Sequence, residues 1–246
     1  QAGHAARDVP GLRPVALCRR DGAAGAALAA ELGCRYERDP AALIAAADVD
    51  AVLVCTPPSS HFALAAAVRG AGKALLLEKP MTGTFAEARR LVEIDDLGAG
   101  PRLIVAQTLR WNPVIRLARE LWPQLGEVRH VRIAQRLEPS GLDWQRDRSV
   151  TVGGSVLLTG VHLFDTVRFV TGREFTEIDA RQEGFRNPAV EDFYLARARL
   201  DAAARGRSPR TDSDGAGRPF ARWCDQADRG ARRGATRGGR GALSGR

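Results

Sequence analysis

The stretch AVLVCTPPSSHFALAAAVRGAGKALLLEKP, from Ala51 to Pro80, ends each of its two apolar runs in polar or rigid residues. Thr56-Pro57-Pro58-Ser59-Ser60-His61 closes the first run and Glu78-Lys79-Pro80 the second. Short continuous apolar runs punctuated in this way read as buried parallel strands. In an open parallel sheet, ligands bind outside the carboxyl ends of the strands, so both clusters fall on one ligand edge and face a bound cofactor. The four cysteines, Cys18, Cys34, Cys55 and Cys224, show neither paired metal spacing nor the density of a disulfide scaffold. They read as reduced thiols, and no metal site is expected.

The elements that must position these residues divide the chain in two. From Pro14 to Gln107 the runs PVALC, AVLVC, ALLL and LIVAQ alternate with alanine-rich helical stretches, the pattern of βαβ units. Thr84 and Glu87 have capping-box spacing, and Gly70 or Gly72 ends the preceding helix. From Val128 onward the runs lengthen and alternate: VRHVRIAQRL, FTEIDARQEGF and VEDFYLARARL surround one helix near Val156 to Val170. Such strands suit an antiparallel sheet with one covered face. The expected domains are 1–108, a parallel-sheet domain of the dinucleotide-binding type; 109–200, an α+β domain; and 201–246, a tail.

The net charge of +8 on 246 residues invites a nucleic-acid reading, but its distribution argues otherwise. Residues 201–246 hold eleven arginines and five aspartates with no glutamate, so this tail carries +6 and the body only +2. With nine glycines, one leucine and neither valine nor isoleucine, the tail is expected to be disordered. Arg237-Gly-Gly-Arg-Gly241 is the kind of segment that contacts phosphates and stacks on bases. Against that, 35 of the 37 basic residues are arginine, as in a GC-rich coding sequence, and the composition changes abruptly after DFYLARARL. A frameshifted or artefactual terminus is the favoured reading, and nucleic acid is not an expected partner. No apolar run reaches the roughly 20 residues of a membrane span, and a cytoplasmic location is the default.

At this point VLVCTPPSSHFALAAAVRGAGKALLLEKP resembles the cofactor-domain signature of the Gfo/Idh/MocA oxidoreductases, the family of glucose-fructose oxidoreductase and inositol dehydrogenase. LDWQRDRSVTVGGSVLLTGVHLFDTVRFVTG resembles the family's second signature, a Gly-Gly turn followed by a helix carrying a histidine, and RWNPVIRLARELWPQLGEV fits the segment between. The resemblance implies a Rossmann-type sheet and hydride transfer between NAD or NADP and a sugar, polyol or related hydroxy or carbonyl compound. It makes Lys79 the neighbour that hydrogen-bonds the reacting oxygen and His162 the proton donor or acceptor. Thr56, Pro57, Pro58, His61, Glu78 and Lys79 would line the cofactor, with Arg110, Trp144 and Asp165 on the substrate side. It also implies a cis Lys79-Pro80 bond and homo-oligomers in intact relatives.

Two departures qualify this. The family's aspartate one turn before the active-site histidine is Leu158 here, which favours as runner-up a non-catalytic nucleotide-binding or regulatory relative. QAGHAA resembles the dinucleotide fingerprint with Gln1 for its first glycine; Gly3 and His4 would be its cofactor contacts. The first strand is expected to be absent, leaving two inner sheet edges unpaired, and the chain reads as a gene fragment. For cofactor choice, the residue just beyond strand PVALC is decisive: an acid there binds the ribose hydroxyls of NAD, whereas arginine accommodates the phosphate of NADP. Arg19, followed by Arg20, occupies that place, and a guanidinium fork matches phosphate. NADP is expected, with Asp21 the competing ribose partner.

Overall fold

Five short parallel strands and their crossover helices build the first half, in the computed structural model that describes residues 8–97, 103–138 and 141–201. β1 (Ala16–Cys18) pairs with β2 (Arg35–Glu37) in one parallel sheet. β3 (Ala51–Val54), β4 (Ala74–Leu77) and β5 (Leu103–Val105) form another, in that order. Helices α1 (Gly22–Leu32), α2 (Pro40–Ala45), α3 (His61–Gly70) and α4 (Phe85–Leu97) connect them. Their starts are written locally. Asp21 and Asp39 cap α1 and α2 by accepting the Ala24 and Ala41 N–H groups, and Thr84 and Glu87 exchange side-chain-to-backbone bonds of 3.1 and 3.2 Å ahead of α4.

The core joins Val54, Leu75 and Leu77 from the strands to Ile44, Ala65, Val68 and Leu91 from the helices. Burying each larger side chain contributes about 1.5–3 kcal/mol, so this cluster holds β3 and β4 in register and thereby sets where their carboxyl ends stand. Among the described residues β1 and β3 do not pair, so the parallel sheet is split where the sequence predicts two open inner edges. Leu53, in the middle of β3, is still 41% exposed, which a strand covered on both faces would not allow.

The second half contains α5 (Pro113–Leu121), α6 (Arg148–Thr151), α7 (Val161–Thr171) and the antiparallel pair β6 (Phe175–Glu183) and β7 (Phe193–Leu200). The single helix expected near Val156 begins instead as a π turn, Val156–Gly160, that runs into α7. The stretch Arg148–Thr171, 24 residues with a mean hydropathy of 1.4, is long and apolar enough by composition to cross a membrane. It is broken between α6 and the π turn, and it buries Asp165, Thr166 and Val167, as the core helix of a folded domain does.

One expectation is corrected. VRHVRIAQRL, predicted as a strand of the antiparallel sheet, forms no ladder among the described residues, where β6 and β7 pair with each other. It runs as exposed coil along one side of an open groove of about 2460 Å³, with β6, β7 and α7 on the other. Alternation shows that a segment fits a pleated surface; a partner strand is also required. Open edges carry unpaired N–H and C=O groups, and Ile178, Phe185, Phe193 and Leu195 lie exposed beside them. The chain is therefore expected to self-associate or aggregate, seen as light-scattering mass that rises with concentration. A sharp monomer peak at every concentration, with cooperative melting, would contradict this.

Candidate active site

Thr56 and Lys79 stand at the carboxyl ends of β3 and β4, and His162 stands on α7. After β3, the segment Thr56-Pro57-Pro58 turns through a 3-10 helix (Pro58–Ser60) into α3. Ser60 Oγ lies 2.7 Å from Thr56 Oγ1 and 2.8 Å from the Pro57 carbonyl oxygen, which stiffens the turn. His61 is fully buried beneath it. Its Nδ1 is 2.7 Å from the Pro80 carbonyl oxygen and its Nε2 is 2.8 Å from that of Thr56. Both ring nitrogens thus face backbone carbonyls of the two loops, and a neutral ring donates to one of them. Its expected place as a cofactor contact is corrected: it shapes the edge from below.

After β4, the peptide Lys79–Pro80 is cis. Glu78 Oε2 accepts the Lys79 N–H at 3.0 Å, while Lys79 Nζ donates to the Leu158 carbonyl oxygen at 2.6 Å. Burial pushes the Lys79 ammonium below its ordinary 10.5, opposed by the Glu78 charge. Leu158 lies in the π turn, so the residue whose side chain offers no carboxylate still offers its backbone oxygen.

His162 follows on α7. Its Nδ1 lies 3.1 Å from Gln107 Oε1, two residues beyond the end of β5. Burial first, then the positive charge of Lys79, holds its pKa below the ordinary 6.5, against Glu78 and Asp165. The Lys79 charge thus disfavours the protonated form of His162. Arg110, itself partly exposed, grips the buried Asp165 through two bonds of 2.9 and 2.6 Å. This bidentate pair ties the segment after β5 to the helix bearing His162. Trp144 is half-buried in the turn Asp143–Arg146.

The Gly153-Gly154 turn has a spatial cause. Gly154 N–H donates to Glu191 Oε1 at 2.8 Å and Ser155 N–H to the Glu191 carbonyl at 2.8 Å, and a Cβ on Gly154 would overlap that carbonyl. Val152, just before, holds φ +60°, unusual for a β-branched residue. Arg19 and Arg20 are exposed beyond the carboxyl end of β1, and the Arg19 carbonyl accepts the Tyr36 hydroxyl at 3.0 Å. Gly3, His4, Cys224 and the tail beyond Asp201 lie outside the described residues.

Sequence reasoning missed Gln107 and Glu191. Gln107 carried the signal that marked Thr56 and Lys79, a polar residue closing an apolar run, LIVAQ. Glu191 carried none.

With this geometry in view, the chain matches the family description "Oxidoreductase family, NAD-binding Rossmann fold" over residues 1–96 and "GFO/IDH/MocA C-terminal domain" over 115–208. The chain belongs to the Gfo/Idh/MocA oxidoreductase family. Both regions of this Gfo/Idh/MocA chain are thus represented. It is 42% identical to inositol 2-dehydrogenase 1 of Saccharopolyspora erythraea over 104 residues, 42% of this chain and 31% of that one. It is 33% identical to inositol 2-dehydrogenase of Rhizobium meliloti over 185 residues, 73% of this chain and 54% of the relative. Among solved structures, an oxidoreductase domain protein from Kribbella flavida superposes with a TM-score of 0.72 at 32% identity, covering 81% of this chain and 60% of that one. GenD2 from gentamicin A biosynthesis, in complex with NAD, gives 0.77 at 25% identity, covering 80% and 58%. The chain thus spans between 31% and 60% of the lengths of these four proteins.

Proposed function

We propose that the chain carries the cofactor-binding and proton-handling parts of an NAD(P)-dependent oxidoreductase acting on an inositol, sugar, polyol or related carbonyl compound. The carrying observation is that Lys79, at the end of β4, reaches across to Leu158, one turn before His162. The residues present suit a nicotinamide dinucleotide. Exposed guanidinium groups stand beyond β1, an exposed threonine beyond β3 and a half-buried lysine beyond β4, all at carboxyl ends of parallel strands. Bound there, the nicotinamide would supply or accept the hydride. Lys79 would hold the reacting oxygen by a hydrogen bond, and His162 would take or return its proton. We also take the division between the two domains to lie near residue 108, where β5 gives way to the segment leading to α5.

The lowered pKa values fix the sign of the pH dependence. Alcohol oxidation needs a neutral His162, so the rate should climb through a pKa below 6.5, and the loss of the Lys79 proton should end the plateau below 10.5. The test is nicotinamide reduction across a panel of inositols, sugars and polyols, followed by the pH profile of kcat/KM. An acid limb centred above 6.5 counts against His162 as the base. Dinucleotide binding without turnover on any substrate supports the second reading, a non-catalytic relative, which the apolar side chain of Leu158 favours.

NADP is the preferred cofactor in this reading. Arg19 stands directly beyond β1, whereas Asp21 commits Oδ1 to the Ala24 N–H at 3.0 Å as the cap of α1. A charge-assisted bond contributes about 1.5–3 kcal/mol, so Arg19→Asp should cost NADP affinity roughly tenfold or more and turn the preference toward NAD. Direct titration of both dinucleotides decides; tighter NAD binding by the unmutated chain would show that the arginines point elsewhere.

A further inference from the structure

Gln107 stands where a polar side chain has no part in the fold's own capping. β5 ends at Val105, Ala106 N–H continues the ladder to the Leu77 carbonyl at 2.8 Å, and the Gln107 carbonyl accepts the Arg110 N–H at 3.0 Å. The backbone is thereby anchored at both ends of the turn, and three residues on, Arg110 clamps Asp165 on α7. The side chain is left to extend toward α7, where Oε1 meets His162 Nδ1 at 3.1 Å. With the amide oxygen turned to the ring, as it stands here, the imidazole nitrogen facing it carries the proton, because an amide oxygen only accepts. A neutral imidazole has one N–H, and its other nitrogen is then a bare acceptor.

We propose that Gln107 is a positioning residue for His162: its amide oxygen holds the ring with Nδ1 protonated, leaving Nε2 as the nitrogen that exchanges a proton with the substrate. This rests on the oxidoreductase reading for its purpose, though not for its geometry. An amide suits the task because it orients without adding charge. The charges facing His162 are Lys79 and Glu78 from the end of β4 and Asp165 on its own helix. A carboxylate at position 107 would add an anion within hydrogen-bond reach and hold the proton on the ring.

The experiment is nitrogen NMR of the histidine rings in the uniformly labelled chain without cofactor, with the His162 signals assigned by their loss in His162→Phe. At a pH where His162 is neutral, the unmutated chain should show the Nδ1–H form. Gln107→Met should lose that predominance, and Gln107→Glu should keep it while raising the His162 pKa by about one unit or more. An Nε2–H ring in the unmutated chain overturns the proposal, and so does an unchanged ring form in Gln107→Met. Should Gln107→Met fail to fold, the unmutated tautomer and the Gln107→Glu shift decide. None of these readings needs turnover. A correct tautomer in a chain inactive on every substrate sinks the oxidoreductase reading and leaves the positioning role standing.

Discussion

Lys79→Ala should lower turnover by about 10²- to 10⁴-fold, the range of a positioned acid or base, while changing dinucleotide affinity only severalfold. The reasoning is local. Among the described residues Lys79 Nζ donates one hydrogen bond, to the Leu158 carbonyl at 2.6 Å, and burial already weakens its charged form. Losing that bond costs on the order of 1 kcal/mol of stability, too little to unfold the chain. A large kinetic effect with a small thermal one is thus the expected signature, and His162→Ala should share it. Because the two groups would act on one oxygen, the double variant should be little worse than the poorer single one. Turnover within tenfold of the unmutated chain for either variant would remove that residue from the chemistry.

The second large effect is on folding. Gly154→Ala should destabilise the second half of the chain by roughly 3–5 kcal/mol, beyond the usual range for one substitution. The obstacle is backbone, the carbonyl of Glu191, with the carboxyl carbon of Glu191 2.8 Å from the added Cβ. A side-chain rotation cannot clear it. The start of β7 would have to move away from the π turn, breaking the Gly154 and Ser155 bonds to Glu191 and leaving a buried carboxylate short of donors. For a chain of this size that is a fall in Tm on the order of 10 °C or more. Gly141→Ala is the control: its added Cβ meets nothing within 4 Å, and its melting should be unchanged. Equal melting of the two variants would mean that the Gly-Gly turn has another cause.

Much of the first half was legible because its signals are local. Apolar runs closed by Thr56, Glu78 and Gln107 mark strand ends, and the caps Asp21, Asp39 and Thr84 with Glu87 act within three residues of themselves. Where such a signal depended on a partner elsewhere, reading it alone failed. Val128–Leu137 alternates as a strand should, yet no strand among the described residues pairs with it. His61 sits in a ligand-edge cluster, yet its ring is enclosed between two carbonyls.

The sequence by itself determined the class of fold, the family, and the strands whose ends carry Thr56, Lys79 and Gln107. These follow from periodicity and from residue types close together along the chain. Only the tertiary structure decided which atoms meet. Lys79 finds the backbone of Leu158 across a separation of 79 residues, His162 finds Gln107 across 55, and Gly154 is required by Glu191 across 37. A hydrogen bond depends on distance and angle in space. Chain positions so far apart become neighbours only after burial of Val54, Leu75, Leu77 and Leu91 has set the strands and helices against one another.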